Sequence, residues 1–156
     1  MRYATVVLAI LTTCQCACGA PVKITEDRSP LMQIVVAADA SDRIKGAADT
    51  LADYLGKMSA AKITVTNGDG AIGLAVGLAS DFPKLGMAGQ FAIKSVADRE
   101  HYLLKSHARG LYIIGSTESA VEHAGWDLLY RLGHRQFFPG RAWEVLPQTP
   151  HGSISV

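Results

Sequence analysis

Residues 110–147, GLYIIGSTESAVEHAGWDLLYRLGHRQFFPGRAWEVLP, constrain the fold more than any other part of the chain. Leu111, Tyr112, Ile113 and Ile114 form an apolar strand that stops at Gly115. Ser116 and Thr117 are N-cap candidates, and Ser119-x-x-Glu122 has capping-box spacing. Val121, Ala124, Gly125, Leu128, Leu129 and Leu132 recur on one helical face. Gly133 can adopt the left-handed conformation that ends a helix. Strand, capped helix, glycine stop and a short aromatic run therefore follow in order.

The preceding segments supply the partners for that unit. Residues 33–38 are an apolar, β-rich run, and Asp39 or Ser41 can cap the helix that follows. Ile44, Ala47, Ala48, Leu51, Leu55 and Met58 form its apolar face. Residues 62–66 and 72–76 read as strands joined in a hairpin by the turn Asn67-Gly68-Asp69-Gly70. Residues 80–89, with Pro83, Gly86 and Gly89, read as irregular, and residues 91–95 as an edge strand. Residues 102–105 and 111–114 form a hairpin around residues 107–110. The expected fold is an α/β (α+β) sandwich, a mixed sheet with two main helices burying their stripes on one face.

Residues 1–20 read as a signal peptide, with Arg2 before an apolar run over residues 6–11 and small residues at 17–20. That run is too short to cross a bilayer. Residues 21–30 read as a linker and residues 31–156 as one domain, with secretion or periplasmic export expected. All three cysteines, Cys14, Cys16 and Cys18, lie in the leader, so a disulfide framework or thiolate metal site is not expected in the rest. Lipid attachment at Cys14 is the alternative, although Thr13 is a poor lipobox residue. The chain has 15 Lys and Arg against 14 Asp and Glu, and losing Arg2 with the leader would balance them. A neutral chain with no basic run offers no electrostatic footprint for nucleic acid.

The order Gly110-Leu111-Tyr112, turn, helix, Leu132-Gly133-x-Arg135-x-Phe137-Phe138-Pro139-Gly140 resembles the non-catalytic N-terminal domain of secreted glycosidases. That domain occurs in family 67 α-glucuronidases and before the barrel of β-hexosaminidases. Ala47-Ala48-x-x-Leu51-x-x-Tyr54-Leu55 fits the family's first helix, whereas Trp126 and His134 depart from its pattern. The resemblance implies a sheet arranged as in zinc metalloproteases without their metal centre. It also implies that catalysis belongs to a (β/α)8 barrel, which would be this domain's partner.

Several motifs carry a chemical suggestion. Gly68-x-Gly70-x-x-Gly73 spells a dinucleotide fingerprint but leads into a strand, where phosphate would meet no helix N-terminus. Ser119-Ala120-Val121-Glu122-His123 lacks the first ligand of the inverted zinc motif, so a solvated helix face is expected. His101, His107, His134 and His151 have no ligand spacing and are expected at the surface. No serine elbow and no carboxylate pair in an aromatic setting marks a hydrolytic centre, and neither cofactor nor metal is called for.

The remaining candidate is Arg135, Phe137, Phe138, Arg141 and Trp143. Successive side chains alternate along a strand, so one of Phe137 and Phe138 is expected in the core and the other outward, with Trp143 nearby. The outward aromatic could dock on a partner domain or stack on a sugar, or be covered by residues 144–147. Three functions fit: an accessory domain of a carbohydrate-active enzyme, a free-standing glycan- or partner-binding module, and a small hydrolase in its own right.

Overall fold

In the computed structural model, residues 21–152 and 154–156 are described; residues 1–20, Cys14 and the expected signal peptide included, lie outside them. The chain is a mixed α/β sandwich built on a five-stranded sheet. Its strands are β3 (Ile34–Val36), β4 (Val65–Asn67), β5 (Gly73–Leu78), β6 (Tyr102–His107) and β7 (Gly110–Gly115), in the order β4-β3-β5-β7-β6. All neighbours are parallel except β6 and β7, the hairpin expected from the sequence.

Helices α1 (Asp42–Ser59) and α2 (Glu118–Arg131) pack on each other and on one face of this sheet. Ser41 caps α1 by accepting from the Ile44 amide, and the buried side is Ile44, Ala48, Leu51, Leu55 and Met58. Thr117 caps α2 by accepting from the Ala120 amide. Ser119 lies within the helix, so its spacing to Glu122 does not form the cap. Val121, Ala124, Leu128 and Leu129 face the core. Beneath them, Ile34, Leu74 and Leu111 stand side by side in the strand register, as do Val76 and Ile113.

The segment between β5 and β6 makes 3-10 turns at Pro83–Leu85, Ala88–Phe91 and Ala97–Glu100; it sets Phe82 against the opposite sheet face beside Gly77, and its last turn packs on the start of α2. Phe82, 1% exposed, anchors it. A Cβ at Gly70 would lie 2.9 Å from the Phe82 ring, and one at Gly77 3.0 Å from it. Two glycines thus make room for a core ring. Residues 91–95 are not the expected edge strand: Phe91 is buried at the end of a 3-10 turn and stacks on His101 at 5.0 Å, while Ile93 is exposed.

Two further expectations are corrected by long-range pairing. Residues 67–70 do not close a hairpin, because β3 lies between β4 and β5 and pairs in parallel with both. Residues 21–30 are not a linker. β1 (Lys23–Glu26) pairs with β2 (Ser29–Pro30) and with β10 (Ile154–Ser155), and Ile24 is fully buried. The Thr25 hydroxyl donates to the Gly152 carbonyl at 2.8 Å and accepts from the Ile154 amide at 3.0 Å. The two ends of the domain are sewn together there.

Candidate functional site

The exit from α2 shapes the candidate surface. The Gly133 amide donates to Tyr130 O and the His134 amide to Leu129 O, both at 3.0 Å. With Gly133 at φ +101°, this is a Schellman turn, which satisfies the last carbonyls and reverses the chain. The reversal drives His134 inward, to 5% exposure, rather than to the expected surface position. Its ring sits edge-on to Tyr54, centroids 5.1 Å apart, with the Trp126 indole at 5.6 Å.

β8 (Arg135–Gln136) then pairs antiparallel with β9 (Glu144–Val145), closing a loop over residues 137–143. Within it the Phe137 amide donates to Trp143 O, and the Trp143 amide to Gly140 O, both at 3.1 Å. The base is held by Glu144, whose Oε1 lies 3.0 Å from His134 Nε2 and accepts the Tyr54 hydroxyl at 2.6 Å. The Tyr54 hydroxyl first, and His134 second, hold the Glu144 carboxyl below the usual carboxylate range. A short hairpin with little core of its own is thereby tied to α1 and to the end of α2.

The loop presents Phe137, Phe138 and Trp143 at 65%, 61% and 54% exposure. The expectation of one inward phenylalanine fails because β8 ends at Gln136, so strand alternation never reaches residues 137 and 138. Phe138 instead meets Trp143 edge to face, centroids 5.2 Å apart at 72°. Arg135 lies against Tyr130, its guanidinium carbon 3.7 Å from the ring centroid, and donates to the carbonyls of Tyr130 and His134. Arg141 opens the 3-10 turn Arg141–Trp143. The C-terminal segment does not cover the aromatics. It runs along the end of α1, where the Thr149 amide donates to Met58 O at 3.0 Å and the Gln148 side chain to Lys57 O at 3.1 Å.

The other candidate motifs have structural occupations. Glu122 receives both Nε and Nη2 of Arg43 at 2.7 Å, and this guanidinium holds its carboxyl low. His123 is exposed, with its Nδ1 2.8 Å from Glu100. His101 and His151 are exposed, whereas His107 is half-buried and stacks on Tyr112 at 4.1 Å. Burial, and Arg109 secondarily, push the His107 imidazole down. Among the described residues no three of His, Cys, Asp and Glu gather at metal-binding distance, and no helix is long and apolar enough to cross a membrane.

The sequence reading singled out the loop's aromatics but missed the His134–Glu144–Tyr54 anchor. The available signals were Trp126 and His134, the two residues at odds with the glycosidase pattern, and both contribute to the cluster that seats the loop. Compared with known proteins, the chain matches no family model and no curated protein at a significant level.

Proposed function

We propose that the chain is an accessory, non-catalytic domain of a secreted carbohydrate-active enzyme, of the α-glucuronidase or hexosaminidase kind that residues 110–140 resemble. On this reading it docks against a catalytic (β/α)8 barrel through the loop over residues 137–143. The observation that carries the docking is the pairing of three large, more than half exposed aromatics with a rigidly anchored loop base. Exposed apolar patches on anchored scaffolds mark interaction sites, and aromatic residues supply much of the binding energy at interfaces.

The alternative, a free-standing module that stacks a glycan on the same loop, fits the geometry less well. A flat sugar chain needs rings that lie in one plane, and Phe138 and Trp143 stand at 72° to each other. They make a corner, which suits insertion into a complementary hollow in a partner protein.

The test is the reading frame beyond the Val156 codon, followed by amide hydrogen exchange over residues 137–143. An open frame into a barrel, with exchange in this loop slower in the continuous polypeptide than in the present chain alone, supports the docking. A stop codon at that point, or exchange that does not change, overturns it.

A further inference from the structure

Three glycines lie inside the two helices, and only one has a reason within the fold. A Cβ on Gly56 would come within 3.1 Å of the Ala61 carbonyl oxygen. At Gly46 of α1 and Gly125 of α2, no heavy atom lies within 4 Å of the Cβ position. Glycine inside a helix is less stable than alanine, because it loses more backbone freedom on folding. The packing of this chain therefore gives no account of either residue.

Both line a groove of about 390 Å³ between α1 and α2, on the helix side of the sandwich. Its apolar lining comes from Leu51, Val76, Val121 and Leu129. The Trp126 indole contributes to one side and is held edge-on by Tyr54 at 5.3 Å. The lining also carries the Arg43–Glu122 ion pair. Glu122 occupies Nε and Nη2 of Arg43, so Nη1 keeps its donors without a partner among the described residues.

We propose that this groove binds one neutral pyranose ring. Pockets of this size between helices, apolar with a few convergent polar groups, are typical small-molecule sites. A pyranose has an apolar C–H face for the indole and the aliphatic lining, and a rim of hydroxyls for Arg43 and Glu122. The ion pair has no net charge, so the groove offers an acidic ring no excess positive charge, and a neutral ring is favoured. The choice of a saccharide rests on the carbohydrate-active reading above; the groove and its unexplained glycines do not. It is separate from the loop over residues 137–143.

The experiment follows the indole N–H signals of Trp126 and Trp143 by NMR while the chain is titrated with xylobiose, cellobiose and glucuronic acid. The expected result is a saturable shift of Trp126 alone, with either neutral disaccharide, and at least tenfold weaker binding of the uronate. Gly125→Leu fills the groove and should abolish the shift, and Gly46→Ala should weaken it, both without lowering Tm. Binding that survives Gly125→Leu but moves the Trp143 signal would place the sugar on the loop and overturn the groove. No Trp126 shift with any of the three sugars overturns it too. Neither failure touches the barrel-docking reading, which loop exchange in the longer polypeptide decides.

Discussion

His134 Nε2 lies 3.0 Å from Glu144 Oε1 across the base of the aromatic loop, and Tyr54 donates its hydroxyl to the same oxygen. The pair joins the first residue beyond the α2 turn to the first residue of the returning strand. A buried ring, a carboxylate and a tyrosine from α1 thereby hold a hairpin of only two residues per strand.

Glu144→Ala should therefore loosen the loop and the domain together. It takes from the buried His134 ring its carboxylate partner, a loss of about 1 to 3 kcal/mol for a group of this kind. Denaturant unfolding would measure the stability, and amide exchange over residues 137–143 should quicken in the same variant. A cost below about 0.5 kcal/mol, the range of neutral surface changes, would show that the anchor contributes nothing.

The same carboxylate sets a pH dependence of known sign. Its folded pKa is depressed, so between the folded and the ordinary value the unfolded chain binds more protons. The stabilisation is complete above the ordinary glutamate range and disappears as pH falls through the lower folded value. Wild type and Glu144→Gln should differ most near neutrality and converge in acid. Denaturant midpoints taken from pH 7 down to about 3 test this, since the acid end lies below the ordinary glutamate range. A gap that stays constant across the series would rule it out.

Phe137→Ala and Phe138→Ala should cost little and cost alike. Both rings are more than half exposed, and substitutions at such sites usually fall within about 0.5 kcal/mol. If the loop docks on a barrel as proposed, the two variants should instead weaken that complex. Thermal unfolding of the isolated variants gives the first number and a pull-down the second. A loss above about 2 kcal/mol for one ring alone would restore the alternating-strand picture.

Gly110→Ala should disrupt the sheet. A Cβ at this position would fall 1.9 Å from the Gly73 carbonyl oxygen, where β7 meets β5 in the register Gly73↔Gly110. The clash is with backbone, which cannot rotate away, so a cost of about 3 kcal/mol or more is expected, in the severe tail of single substitutions. Far-UV circular dichroism against urea would show the shift; a midpoint within error of wild type would mean that the strands separate freely here.

Both helices and their inward faces were legible in the sequence, because helical period and cap chemistry are local. Leu51, Leu55, Leu128 and Leu129 are buried where the spacing put them, and Ser41, Thr117 and Gly133 act at the helix ends. The β6–β7 hairpin was legible for the same reason, since its strands are near neighbours along the chain. The candidate aromatics were legible as a group, but not their direction.

What only the tertiary structure decided involves residues that are distant in sequence. Nothing near residues 67–70 shows that β3 lies between the strands they join, and nothing near Ile24 shows that β10 pairs beside it. The burial of His134 and the exposure of both phenylalanines follow from where the Schellman turn aims the chain and where β8 stops. Periodicity reports which face of an element is apolar. The partner of that face is set by long-range pairing and packing, which no local window of the sequence contains.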